Sequence, residues 1–228
     1  MIKDKLISLC RSLESEKLEE VYIDIGNPIK GYQFSDFEYE YAVTVHDKVK
    51  SIYTVFNGLR IKWQFHSKNI ETKFDYLEGN IQLLNFRDMM IGYDGRAWKN
   101  EIWSDKTEET ELKFFQRLKP FDYFGTDTVR CVCLEMTEDR ILTPDLWLFN
   151  LGHVPLRMEI QIDEYIGLLE KTKGIWGWQY FYTKIDLSDK KNSAIRENCE
   201  FIINSYPKVF DDKFENELES LFQKLVSY

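Results

Sequence analysis

Apolar and polar residues switch period several times along this chain, and each switch marks an element. Leu6, Ile7, Leu9, Leu13 and Leu18 fall at helical spacing among Lys, Arg and Glu, which predicts an amphipathic helix from the start to about Glu20. Val21, Ile23 and Ile25 then alternate with Tyr22 and Asp24 up to the turn signal Gly26-Asn27-Pro28, so a short strand is expected. Ser35 is placed to cap a brief helical segment over Asp36 to Glu40. Thr44 with Asp47 three residues on resembles a capping box, and Val45, Val49, Ile52, Val55 and Phe56 follow on one helical face. Asn57-Gly58 stops that helix. Leu59, Ile61, Trp63 and Phe65 alternate cleanly with Arg60, Lys62 and Gln64, the signature of a strand with one buried and one solvated face.

His66 to Glu78 is polar and aperiodic and reads as a loop, and Gly79 to Leu84 reads as a strand antiparallel to the preceding one. Arg87 to Asp105 is irregular and aromatic. Glu108 to Leu118 carries Leu112, Phe115 and Leu118 on one stripe and predicts a helix stopped by Pro120; Phe121 to Phe124 then leads into a strand over Val129 to Leu134. Glu135 to Arg140 is a charged turn. Leu146 to Phe149 is an apolar run too short for a helix, and Met158, Ile160 and Ile162 alternate with polar residues. Tyr165, Ile166, Leu168 and Leu169 shift to helical spacing, with Asp163 expected as N-cap and Gly174 just past the end. Ile175 to Tyr182 is expected to be a buried aromatic strand. Two C-terminal helices follow: one marked by Ile195, Cys199, Ile202 and Ile203 and broken by Pro207, the other by Phe214, Leu218, Leu221, Phe222 and Leu225.

The pattern predicts an α+β protein, a largely antiparallel sheet flanked by helices, with amphipathic helices at both termini. Its 228 residues suffice for one unit, expected to run over residues 1–228. A content of 43% hydrophobic and 15% aromatic residues excludes disorder. The formal net charge of -9 argues against nucleic acid or an anionic membrane as partner and favours a basic protein. No run approaches the ~20 apolar residues of a membrane span, and the start has no leader pattern, so a soluble cytoplasmic protein is expected.

Candidate chemistry is thin. Cys10, Cys131, Cys133 and Cys199 are too scattered for a disulfide framework, and Cys131-Val132-Cys133 lacks the second pair or nearby His that structural zinc needs. No metal or cofactor is expected. His46, His66 and His153 each fall near a turn or cap. A triad of Cys133, His153 and Asp145 can be drawn but no nucleophile motif accompanies it. Asp122 with Glu135 could serve as an acid–base pair, yet among 39 acidic residues such pairs arise by chance, and a solvated or capping role is expected. Tyr93, Asp94, Arg96, Trp98, Trp103 and Asp105 have the composition of a partner-binding hot spot, large aromatics with Arg rimmed by charge; the alternative is that Trp98 and Trp103 fold under the loop as a satellite core.

Three pieces, in order, resemble the SUKH superfamily of bacterial toxin-immunity proteins and a fungal regulator of cell-wall synthesis. The first is Tyr53-Thr54-Val55-Phe56-Asn57-Gly58 running into the strand of Leu59 and Trp63. The second is Gly79-Asn80-Ile81-Gln82-Leu83-Leu84, followed after a gap by Lys119-Pro120-Phe121-Asp122-Tyr123-Phe124. The third is the strand-loop-strand that enters the helix of Tyr165 to Leu169 and continues through Gly174-Ile175-Trp176-Gly177-Trp178-Gln179. The resemblance covers about residues 36–182, with 1–20 and 185–228 as helical extensions. It implies the fold already read from the pattern, no catalytic residues, and a protein that binds and neutralises a cognate toxin. A regulator or scaffold of the same fold with an endogenous partner is the first alternative. A carbohydrate-binding or hydrolytic protein using exposed tryptophans is the second.

Overall fold

The computed structural model describes residues 2–14, 18–66, 76–92, 109–123, 130–150, 154–210 and 213–227. Helix α1 (Ile2–Leu13) is followed by β1 (Glu19–Ile25), α2 (Gly31–Tyr41), β2 (Thr44–Val45), α3 (Asp47–Tyr53), β3 (Leu59–His66) and β4 (Tyr76–Leu83). A single π-helical turn spans Asp88–Gly92. Next come α4 (Glu109–Arg117), β5 (Leu118–Asp122), β6 (Arg130–Met136), β7 (Ile141–Asn150), β8 (Leu156–Gln161) and α5 (Ile162–Thr172). Short 3-10 turns at Trp178–Tyr182 and Lys190–Asn192 lead to α6 (Ser193–Val209) and α7 (Phe214–Val226).

The strands form one sheet in the order β1-β3-β4-β5-β6-β7-β2. Strand β8 shares the far edge of β7 with β2. Every pairing is antiparallel except β2 with β7. This is the α+β architecture expected from the pattern, with helices at both ends of the chain.

Alternation decides which face of each strand is buried. In β3, Leu59, Ile61 and Trp63 are buried while Arg60 and Lys62 are exposed. Trp63 lies opposite Gly79 in the register. A Cβ on Gly79 would sit 2.1 Å from the indole nitrogen, so only glycine lets the ring cross β4. The indole N–H then donates to the carbonyl of Lys173 at 2.7 Å, and Phe210 packs edge-on against it with centroids 5.3 Å apart. Trp63 thus ties the sheet to the end of α5 and to the C-terminal helices.

Helices α3 and α5 pack on the face of β7, α1 packs on α5, and α6 and α7 pack on the 3-10 turn of Trp178–Tyr182. The opposite face of β6 and β7 is covered by α4, through Phe114 on Trp147 (4.8 Å) and Phe115 on Phe149 (5.8 Å). A single hydrophobic cluster runs from Leu9 to Leu225. Among the described residues no helix is long and apolar enough to cross a membrane.

Several expected boundaries move. Helix α1 ends at Leu13, and Glu19–Glu20 already belong to β1, so the expected helical extension over residues 1–20 is shorter. Ser35 lies inside α2, whose N-cap is Lys30. Thr44 belongs to β2 because it pairs with Ile141, and His46 caps α3 instead, its Nδ1 accepting from the backbone N–H of Lys48. The N-cap of α5 is Gln161 rather than Asp163, in a capping box with Glu164. Ile175 to Tyr182 is not a strand: Gly174 and Gly177 sit at φ of 67° and 88°, which breaks an extended path and turns the chain into the 3-10 segment. Pro207 is held within the last turn of α6, where the lost N–H removes one bond only. Strand β5 runs through Pro120, which the pattern reads as a helix stop; the ladder shifts register between Pro120 and Asp122.

Candidate functional site

Reactive side chains gather under α5 and are consumed there. Leu83 pairs with Asp122, so alternation turns the Asp122 carboxylate into the core beneath α5. Asp122 is fully buried. Its Oδ2 accepts from the Tyr165 hydroxyl at 2.5 Å and its Oδ1 from the Gln82 N–H at 2.9 Å. The Gln179 amide N–H in turn donates to the Tyr165 oxygen at 3.2 Å. Burial pushes the Asp122 carboxyl up to about 6, and the two hydrogen bonds pull the other way. Burial, then the neighbouring carboxylate, raises the Tyr165 hydroxyl. The trio joins β5, α5 and the 3-10 turn, so its chemistry is that of a buried tie between elements. The expected solvated role of Asp122 is corrected. Glu135, its supposed partner, accepts from the Trp147 indole at 3.0 Å on the opposite face of the sheet.

Cys131 and Cys133 share one strand face, as the period predicts, with sulfurs 3.5 Å apart and both buried. Burial and the neighbouring thiol raise Cys133, which keeps it protonated at neutral pH and a weak nucleophile. Asp145 is held by Arg157 and Gln161, and His153 lies outside the described residues. The drawn triad therefore has a sealed thiol and a carboxylate already engaged. His46 is the α3 cap, and His66 stands at the exposed end of β3 with Nδ1 3.3 Å from Glu19. Among the described residues no group of three or more His, Cys, Asp or Glu is placed to hold a metal.

The expected partner-binding residues Tyr93, Asp94, Arg96, Trp98, Trp103 and Asp105 lie outside the described residues. The four other tryptophans are packed. Trp63 and Trp178 are buried, Trp147 lies under Phe114, and the Arg130 guanidinium stands 5.0 Å over the ring of Trp176. A groove of about 370 Å³ is floored by Phe37, Tyr41, Met90 and Ile91. Its cationic rim is engaged internally: Arg117 pairs with Glu138 at 2.6 Å, and Arg140 donates to the carbonyls of Tyr41 and Ala42.

Strand β1 is left uncovered. Among the described residues it pairs with β3 alone, and none of its seven residues is buried. Val21, Tyr22 and Ile25 are 39%, 48% and 44% exposed, set among Glu19, Glu20 and Asp24. The signal was present in the alternation of Val21, Ile23 and Ile25. A strand pattern predicts a buried face, though, and only the position of β1 at the sheet end leaves that face open. Neither protein-family models nor curated proteins match this chain.

Proposed function

We propose that this chain is a non-enzymatic binding protein, an immunity protein that holds a basic toxin domain and neutralises it in the cytoplasm of the cell that makes both. The observation that carries the reading is strand β1, none of whose residues is buried, with Val21, Tyr22 and Ile25 exposed among Glu19, Glu20 and Asp24. Exposed apolar groups rimmed by charge are what a protein partner covers. The net charge of -9 supports a basic partner, since complementary fields speed encounter and exclude wrong partners. The SUKH resemblance supplies the toxin. Enclosure of Cys133 and Asp122 in the core fits a role that needs no exposed reactive group. A regulator with an endogenous partner would use the same surface; a carbohydrate-binding protein would have to use Trp98 and Trp103, since the four described tryptophans are packed.

The test is a search of the genes beside this one for a basic toxin domain, and co-expression of the two. Growth should be restored, and calorimetry on the purified pair should give a 1:1 complex. Continued growth arrest with both proteins folded, and no heat of binding, would reject the immunity role.

A further inference from the structure

We propose that the outward face of α2 is a seat for an arginine of the protein partner. This rests on the binding-protein reading above and names the chemistry of one contact. Helix α2 carries five aromatic residues in eleven, and they divide between two faces. Phe34, Phe37 and Tyr41 pack: Phe34 and Phe37 meet Phe86 edge-on at 5.1 and 5.0 Å, and Phe37 stacks on Tyr41 at 4.4 Å. That packing holds the helix on the body and leaves Tyr32 and Tyr39 on the other side, 63% and 92% exposed. Seven residues bring an α-helix round to within about 20°, so the two rings share one stripe roughly 10 Å apart, with Asp36 between them. Among the described residues no hydrogen bond, ion pair or ring contact engages the side chains of Tyr32, Asp36 or Tyr39. The fold makes no use of this row.

Charge and shape choose the occupant. The helix holds Asp36, Glu38 and Glu40 and no Lys or Arg. Glu38 is engaged on the packed side, by the Lys50 ammonium and the Val45 N–H, each at 2.8 Å. Asp36 and Glu40 are the acids left exposed. The surrounding cations stand off the stripe: Lys30 is the N-cap, Arg87 lies near the Tyr41 hydroxyl on the packed side, and Arg140 donates to the carbonyls of Tyr41 and Ala42 at the helix end. A carboxylate set between two tyrosine rings suits a guanidinium, whose paired N–H groups take the carboxylate while its plane lies over an aromatic face. The same acids repel anionic lipid and nucleic acid. A second copy of this chain is disfavoured, because a two-fold axis through the middle of the stripe would set Asp36 against its own copy.

The probe is a capped Leu-Arg dipeptide, with capped Leu-Glu as its charge-reversed control, each titrated into the isotopically labelled full chain. Leu-Arg should move the amide resonances of Tyr32, Asp36 and Tyr39 along one saturation curve, and Leu-Glu should leave them in place. Asp36→Asn and Tyr39→Ala should each raise the Kd about fivefold, whereas Tyr39→Phe keeps the ring and should change it less than about twofold. Thermal midpoints should match wild type, since none of these changes touches a packed group. Asp36→Asn alone keeps the test decisive if Tyr39→Ala does not fold. Shifts centred elsewhere, equal response to both dipeptides, or an unchanged Kd in Asp36→Asn overturns the arginine seat. A wild-type dimer that Tyr39→Ala turns into a monomer, read by sedimentation, assigns the stripe to a second copy and overturns it too. Neutralisation of a toxin by a chain carrying Tyr32→Ala, Asp36→Asn and Tyr39→Ala as well as by wild type overturns the seat while leaving the immunity role standing. Leu-Arg binding at α2 without neutralisation by wild type overturns the immunity role alone.

Discussion

Asp122 shows what one residue does when the fold removes it from water. Its carboxyl is pushed up to about 6 by burial, against an ordinary value of 3.8. Between those values the folded protein keeps a proton that the unfolded chain has lost. The contribution of Asp122 to stability therefore falls as pH rises from about 4 to about 6 and is level above, the reverse of a salt-bridged aspartate. The difference corresponds to on the order of 3 kcal/mol. Asp122→Asn fixes the neutral form, so relative to wild type it should gain stability steadily over that window; urea unfolding at pH 4, 5, 6 and 7 measures this, and parallel curves would refute it. The sequence holds a faint sign of the site, a lone acid between Phe121 and Tyr123, both of them buried. Which acid of an aromatic run turns inward depends on register, and register is set by the partner strand.

At the scale of elements, the spacing of apolar residues is sufficient wherever a helix has one buried stripe. Phe214, Leu218, Phe222 and Leu225 follow a 3.6-residue period and are the buried face of α7. Leu218 is wholly buried whereas Leu221 is half-buried against the cluster. Leu218→Ala should cost about 2–5 kcal/mol, and Leu221→Ala clearly less. Thermal or urea midpoints of the two variants test the assignment, and equal losses would place the stripe elsewhere. Spacing fails where tertiary partners choose the ends. Thr44 has the composition of a cap, but its backbone is taken by the carbonyl of Arg140, which moves the cap to His46. Ile175–Tyr182 is apolar throughout, and a run without period does not distinguish a strand from a buried 3-10 turn.

For the whole molecule the governing quantities are charge and the unequal covering of the sheet. With a net charge of -9, association with a basic partner should slow as salt rises from ~50 mM to ~0.5 M, because the screening length shrinks across that range. If the exposed apolar groups of β1 form the proposed contact, dissociation should change far less. Stopped-flow rates at a series of ionic strengths check this; a salt-independent association rate would remove electrostatic steering from the mechanism. The covering itself follows from topology. Helices α3 and α5 and the C-terminal pair converge on the strands from β3 to β7, and β1 lies beyond them at the end of the strand order.

The sequence by itself determined the α+β class, the alternating β3 with Trp63 inward, the antiparallel neighbour β4, and the stripe of the last helix. Each is written in a local period that any burying partner reads the same way. The tertiary structure alone decided that β5 runs through Pro120, that Asp122 is sealed beneath Tyr165, and that none of the residues of β1 is buried. These depend on pairing between segments distant in sequence, such as Leu83 with Asp122 and Ile23 with Ile61. No local period encodes which strand becomes the edge of a sheet. The apolar pattern of β1 is that of a half-buried strand, and its place at the end of the order turns the same pattern into a surface.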